Sequence, residues 1–426
     1  MRILIVSHNT LSRNSNMGRT MLSYFRDQAE DEYAQFYIHS EIPTDGTLCR
    51  NYYRFTDRDA IRSLNPLISC GRSFGEADIQ KDRIVARTDT GFTAKVYQFG
   101  RKRTGGIRLA RNLLWKLSRW ETKQLWDWVD DFGPDVIFFA SGDYGFMYDV
   151  ARRMAEHTGK PLAVACVDDY YLHNRNEGSL LGRLEHKLFL KTVRKTMAWA
   201  DCIFTICESL KEQYASLFPK PCHVLHTAAT VSEGETLPCS GNVSYLGNLG
   251  LGRAGELVTI GRTLKEMGRR VDVYSGERNL EILKVLTEEN GIRFHGAVSA
   301  EEVGNIMASS LAVIHTESFD PKMQDITRYS VSTKIADSLM NGPAILAYGP
   351  RGIASIDYLQ ENRAAYVISD PDDLAKGLTE FLSDEALRSE IVANARALAK
   401  QNHDPAVIPA NVRGWLQEIC SQWSGQ

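Results

Sequence analysis

Two segments carry residues whose types and spacing suit the binding of an anion. In LAVIHTESFDPKMQDITRYSVSTKIADSLMNGPAILAYGP (311–350) an apolar run ends on Glu317 and a polar stretch without periodicity comes next. Ser332 or Thr333 can cap a helix from Lys334, and Gly342 ends it. The start of a helix after a strand seats anions, because its free N–H groups and dipole point at them. Lys334 in the first turn opposes the dipole unless something negative is bound there. Asp337, one turn on, can accept the hydroxyls of a ribose. In YLGNLGLGRAGELVTIGRTL (245–264) a strand ends at Gly247-Asn248 and a glycine-rich turn leads to Arg253 at the start of a helix. Glycines let a backbone approach phosphates, and arginine forks onto them. The plain alternative for both segments is an ordinary crossover with solvated charges.

The first half offers a looser set. Asn16, Gly18 and Arg19 come after the opening strand, Ser141 and Asp143 after DVIFFA, and Asp168-Asp169 after PLAVACV. Each group can contact a ligand at a strand end or serve as plain loop. An acid at Asp168 can orient a hydroxyl or cap a helix.

These residues need strands and helices to hold them. Apolar runs at 2–7, 35–40, 135–141, 161–167, 201–207 and 222–228, and again at 242–248, 270–276, 292–298, 311–317, 343–349 and 364–369, alternate with helical patterns such as 148–158, 180–199, 254–267, 280–290 and 386–399. Continuous apolar strands separated by helices predict an α/β fold with parallel sheets covered on both faces. At 426 residues the chain exceeds one core, so two domains are expected. The turn-rich stretch 232–241 reads as a linker between a domain 1–231 and a domain 242–400, with 401–426, including an apolar helix 407–423, crossing back to the first. Ligands in such sheets sit at the carboxyl ends of strands. Residues 70–105 are the least regular and read as a mobile insertion.

Composition narrows the function. A net charge of −3 argues against bulk nucleic-acid binding. Eight cysteines without a C-x-x-C pair read as buried, reduced thiols, which fits a reducing cytoplasm. The ten histidines show no metal spacing, and no D-x-D-like motif marks a metal. No apolar stretch reaches the ~20 residues of a membrane span, and no signal peptide is visible. The segment 101–123 has eight basic residues and one acid. On a helix, Ile107, Ala110, Leu113, Leu114 and Leu117 form one stripe. Arg108, Arg111 and Arg119 share the other face with Trp115 among them. Either this basic face docks on an anionic membrane surface or a lipid-linked phosphate, or it is a solvated face over a core helix.

Together the segments of residues 201–400 resemble the donor domain of GT-B glycosyltransferases, specifically the retaining group called glycosyltransferase family 4. The resemblance rests on ADCIFTICESLKEQY, VSYLGNLGLGRAGEL, VDVYSG, IRFHGAVSAEEV, LAVIHTESFD and STKIADSLMNGPAILAYG, in that order. It implies two Rossmann-like domains facing across a cleft. It also implies transfer of a sugar from a nucleoside-diphosphate sugar of UDP or GDP type, without another cofactor, to a saccharide or lipid-linked acceptor in surface polysaccharide or glycoconjugate synthesis. Arg253 and Lys334 would hold the diphosphate, with Gly247, Asn248, Ser332 and Thr333 beside them. Glu317 would match the first acid of the family's E-x7-E pattern, near the donor sugar, and Asp337 the second, near the ribose. Glu317, Arg253 and Asp168 would carry the chemistry. Asn16, Gly18, Arg19 and Asp143 would line the first domain's side of the cleft. The acids here lie twenty positions apart rather than eight, and the second is Asp rather than Glu. Gly18 stands alone where two glycines are usual, and Asp168-Asp169 stands where many members have His-Asp. A nucleotide-sugar epimerase, or a non-catalytic binding protein, would share the architecture. A Rossmann dehydrogenase does not fit, because residues 1–30 lack G-x-G-x-x-G.

Overall fold

The computed structural model describes residues 1–12, 16–25, 30–43, 46–79, 104–173, 178–230 and 241–424. Most of the expected linker, the three residues just before Asn16, and residues 80–103 of the expected insertion lie outside them. The chain divides into two compact units, Met1–Leu225 with Pro409–Gln426, and His226–Ile408.

The first unit is built on eight strands: β1 (Arg2–Ser7), β2 (Glu32–Tyr37), β3 (Asn51–Arg54), β4 (Arg72–Phe74), β5 (Val136–Ala140), β6 (Leu162–Ala165), β7 (Cys202–Thr205) and β8 (Cys222–Val224). Their order is β4-β3-β2-β1-β5-β6-β7-β8, parallel throughout except for β3 with β4. Every residue of VIFFA in β5 is buried, as a strand covered by helices on both faces requires. The run expected at 35–40 forms its strand earlier, because Glu32–Tyr37 pairs residue for residue with Arg2–Ser7. β3 and β4 have no counterpart in the apolar runs. They are four and three residues long, and β3 owes its place to the buried rings of Tyr52 and Tyr53.

The second unit holds β9 (Val243–Leu246), β10 (Val271–Tyr274), β11 (Ile292–Gly296), β12 (Ala312–Thr316), β13 (Ala344–Tyr348) and β14 (Tyr366–Ile368). All are parallel, in the order β11-β10-β9-β12-β13-β14. This is the doubly wound pattern, and its strand order reverses between β9 and β12. In the first unit the reversal falls between β1 and β5. Two helical expectations change. The pattern at 280–290 yields only a turn of helix at Leu280–Leu283 and a tighter turn at Glu288–Asn290, since Leu280 and its neighbours are exposed. The stretch after Glu317, read as loop, contains a helix, Pro321–Thr327, capped by Asp320 with proline at its start.

The unit boundaries agree with the hydrogen bonds. Residues 226–230 go with the second unit: the Ala229 N–H donates to the His403 carbonyl (2.8 Å), and the Thr230 N–H donates to Asp337 Oδ1 (2.8 Å). The last helix, Val407–Ser424, rejoins the first unit, where Arg413 Nε meets Asp31 Oδ2 at 2.8 Å and Trp423 donates to the Gly159 carbonyl at 2.9 Å. No described helix is long and apolar enough to cross a membrane.

In the second unit the helix Arg253–Glu266 is pressed against the turn before β11, and the contact is backbone to backbone. A Cβ on Gly291, which has φ of 72°, would run into the carbonyl of Gly261. Gly291→Ala should therefore cost about 2–3 kcal/mol. In a unit of this size the melting temperature should fall by roughly 5–10 °C. Thermal unfolding of the variant checks this, and a melting temperature within about a degree of wild type would contradict the packing.

Candidate functional site

In the second unit the site is built where β9 and β12 end. After Leu246 the chain turns sharply through Gly247–Gly252. The Tyr245 hydroxyl donates to the Asn248 carbonyl at 2.6 Å, and Asn248 Oδ1 accepts the Gly250 N–H at 2.7 Å. Asn248 thus ties the turn together. Leu251 and Gly252 are both left-handed, with φ of 57° and 81°. Glycine is needed at 252, because a Cβ there would lie 2.5 Å from Ser318 Oγ.

This turn delivers Arg253 to the end of β12. One of its terminal nitrogens, Nη2, donates to both oxygens of Glu317, at 2.7 and 3.0 Å. Glu317 is 1% exposed and the Arg253 side chain 15%. Burial pushes the Glu317 carboxyl up and Arg253 draws it partly back. Burial works against the Arg253 charge, but Glu317 more than offsets it and the guanidinium is held above its usual range. Glu256, a turn along the helix, accepts from Ser318 Oγ and the Phe319 N–H, both at 3.1 Å. His315 Nε2 lies 2.9 Å from Ser355 Oγ and 3.9 Å from Glu317 Oε1. Burial, reinforced by Arg253, drives its pKa down to about 3, so the ring is neutral. Gly349 leaves room for this strand end, since a Cβ on it would stand 3.1 Å from the Glu317 carbonyl.

Lys334 joins from the helix Thr333–Asn341, which Ser332 caps. Its ammonium donates to the Leu246 carbonyl at 3.1 Å, at the very end of β9. Gly247, Asn248, Arg253, Glu317 and Lys334 are therefore brought together, with Ser332 and Thr333 at the adjoining helix start. Asp337, one turn along this helix, accepts the Thr230 N–H through Oδ1, and Asn341 Nδ2 of the same helix donates to the Thr230 carbonyl at 2.6 Å. Glu256, Ser318 and Ser355 were not picked out from the sequence. Glu256 had a signal, an acid three residues into the helix that Arg253 begins.

In the first unit a polar cluster gathers where β1 and β5 end. Arg108 Nη2 stands 3.5 Å from Asp143 Oδ2. Arg111 Nε donates to Asp57 Oδ1 at 3.0 Å, its guanidinium lies 3.9 Å from the centre of the Tyr144 ring, and His8 stacks on that ring. Burial and Arg111 push His8 down to about 4. This overturns the expected orientation of the helix Gly105–Leu117. Its arginines face inward onto Asp57 and Asp143, and Trp115 is buried, stacked on Phe146 with its N–H on Asp57 at 2.8 Å. Leu113 and Leu117, the expected core stripe, are 55% and 62% exposed. Countercharges beneath the arginines decide this, because a paired guanidinium tolerates burial. Residues 101–103 of the expected basic segment lie outside the described residues.

Gly18 is buried and Arg19 exposed in the helix Asn16–Ser23, which begins at Asn16. Of the two aspartates after β6, neither caps a described helix: the carboxylate of Asp169 closes a turn by accepting the N–H groups of Tyr171, Leu172 and His173, and the helix Leu180–Trp199 is capped by Ser179. Asp168 is half-buried and accepts the Asp169 N–H at 3.0 Å.

Residues 258–411 match the sequence family described as Glycosyl transferase-like. Among solved structures, HepE of Anabaena with UDP is similar at TM-score 0.61 and 13% identity, covering 98% of this chain and 100% of that one. The UDP-forming α,α-trehalose-phosphate synthase of Burkholderia xenovorans, solved with glucose-6-phosphate, is similar at TM-score 0.60 and 10% identity, covering 98% and 100%. Sucrose-phosphate synthase of Thermosynechococcus elongatus is similar at 0.58 and 11%, covering 99% of each chain. The fold is glycosyltransferase-like, of the GT-B type. No curated protein matches the sequence. Within this GT-B fold the family match contains Glu317, Lys334 and Asp337, and begins just after Arg253.

The neutral state of His315 has a consequence for acid stability. The folded chain refuses a proton that the unfolded chain accepts below the ordinary 6.5. The His315 contribution is thus complete above about pH 6.5 and is lost as pH falls toward about 3, by about 1.4 kcal/mol per pH unit. Between pH 7 and 5, wild type should lose about 2 kcal/mol more than His315→Asn. Urea unfolding at the two pH values measures this. Equal losses in both proteins would show that His315 titrates normally.

Proposed function

We propose that this chain is a glycosyltransferase of the retaining type, in the manner of family 4. It would move a sugar from a nucleoside-diphosphate sugar to a hydroxyl of a saccharide or lipid-linked acceptor, in the making of surface polysaccharide or glycoconjugate. The observation that carries the reading is the buried Arg253–Glu317 pair at the β9/β12 reversal, with Lys334 on the Leu246 carbonyl beside it. Departure of a nucleoside diphosphate leaves an electron pair, and so negative charge, on a phosphate oxygen. Two cations held at a strand end, with a helix start adjoining, are placed to stabilise that charge.

In this reading Arg253 and Lys334 hold the diphosphate, with the 247–248 turn, Ser332 and Thr333 around it. Glu317 keeps Arg253 aimed and lies near the donor sugar. Asp337, already anchored to Thr230 through one oxygen, receives the ribose. The acceptor hydroxyl attacks the anomeric carbon on the face the leaving group departs from and gives its proton to a leaving phosphate oxygen. No protein nucleophile is invoked. In the first unit Asn16, Gly18, Arg19, Asp143 and Asp168 belong to the acceptor side. UDP is the first nucleotide to try, because HepE has been solved with UDP and with UDP-glucose. The described cysteines are free thiols, which suits a reducing compartment such as the cytoplasm.

Thermal unfolding with UDP, GDP, ADP and NAD tests the donor site. A ligand at about 100 times its dissociation constant adds ~2.7 kcal/mol, and UDP should give that rise. Arg253→Ala should abolish it. With the matching UDP-sugar, Glu317→Gln and Arg253→Ala should each slow UDP release by at least about 100-fold. A rise with NAD alone, or near-wild-type turnover in either folded variant, would refute the assignment. Binding of UDP without turnover of any UDP-sugar, with or without acceptor, would favour a binding protein instead.

A further inference from the structure

The inverted helix Gly105–Leu117 leaves an apolar face uncovered, and a second helix extends it. Leu180–Trp199 packs against it so closely that Gly105 meets the backbone of Gly182 and Gly106 approaches Leu181. On this second helix Leu180, Leu181, Leu184 and Leu188 are 82%, 55%, 47% and 45% exposed, and Trp199 is 40% exposed. Leu181, Leu184 and Leu188 recur at helical spacing, so they share one face. With Leu113 and Leu117, six of the chain's exposed leucines sit on two packed helices, a concentration that solvent alone does not explain.

On these two helices the exposed charges are of one sign. Lys116, Arg183, Lys187, Lys191 and Lys195 are exposed. The helix Gly105–Leu117 contains no acid. The only acid on the helix Leu180–Trp199 is Glu185, which is 3% exposed and turned to Asn112. This patch is basic on a chain whose net charge is −3. Arg108 and Arg111 take no part, since Asp143 and Asp57 engage them.

We propose that the leucine face of these two helices docks on an anionic lipid surface. The leucines enter the boundary between headgroups and acyl chains. The lysines lie along the rim with their stems on the apolar surface and their ammonium groups at lipid phosphates. A partner protein would need both an apolar groove and an acidic rim, whereas an anionic bilayer presents that chemistry everywhere. The inference is independent of the sugar-transfer reading.

Co-sedimentation of the full chain with vesicles of phosphatidylcholine alone, and with about one-third phosphatidylglycerol, tests it. The chain should pellet with the anionic vesicles only, and at about 0.5 M salt, where screening reaches a few ångströms, binding should fall steeply. Lys187→Glu/Lys191→Glu and Leu184→Gln/Leu188→Gln should each weaken binding roughly tenfold or more. Both pairs are exposed, so an unchanged melting temperature will show that the fold survives. Equal recovery on the two vesicle types, or variants that bind like wild type, would overturn the proposal. So would sedimentation velocity without lipid that finds a dimer which the leucine variant dissolves, because the face would then be covered by a second copy.

Discussion

A carboxylate with 1% of its surface exposed has to be answered by a cation, and in this chain Glu317 is answered by Arg253. Removing both groups from water costs several kcal/mol each, and only close geometry repays it. Much of the second unit is arranged to keep that geometry. Left-handed Leu251 and Gly252 aim the start of the helix, and Glu256 fastens the Ser318–Phe319 backbone to the same helix. The Glu317 N–H and the Thr316 hydroxyl both donate to the Tyr348 carbonyl, at 3.0 and 2.8 Å, which fixes the end of β12 against β13. Neutral His315 lies behind. A protonated imidazole there would face the guanidinium, and this repulsion is one of the causes of its low pKa.

The first unit solves a related problem with looser means. Arg108 and Arg111 reach the ends of β5 and β1 from a helix rather than from the strand loops themselves. Their countercharges come from separate elements, Asp143 after β5 and Asp57 at the start of the helix Asp57–Arg62. Trp115 shares Asp57 with Arg111. One carboxylate thus turns the helix by drawing its polar face inward, and the leucines go outward as a consequence. The leucine face proposed to meet lipid and the polar cluster at the strand ends are two results of the same rotation.

That rotation also explains what could and could not be read from the chain. The strands of the second unit were legible because they read as short, mostly apolar runs between helical patterns, as in VSYL, AVIHT and AILAY. That Arg253, Glu317 and Lys334 would lie close together was legible because parallel sheets place the residues that follow such runs along one edge. The helix 105–117 was not, because apolar periodicity names a stripe without saying what lies under the opposite face. Asp57 is some fifty residues away in sequence and has no pattern linking it to Arg111. β3 and β4 escaped for want of length, and the acid that closes the turn after β6 is Asp169, adjacent to the Asp168 that the strand end suggested. Adjacent acids differ only in which one the backbone N–H groups can reach.

The long gap between Glu317 and Asp337 shows how spacing in sequence can mislead about spacing in structure. The residues between them are tied partly to one another and partly to the chain beyond β13. Asp320 caps the helix Pro321–Thr327, Gln324 Nε2 donates back to the Phe319 carbonyl at 2.8 Å, and the Arg328 carbonyl accepts the Ala354 N–H at 2.8 Å. Backbone groups satisfied in this way leave the neighbouring strand ends undisturbed. The chain therefore re-enters the helix Thr333–Asn341 in time for Lys334 to touch the end of β9, the strand beside β12. A segment of this kind lengthens the sequence between Glu317 and Lys334 while leaving Glu317 just after β12 and the Lys334 ammonium at the end of the neighbouring β9.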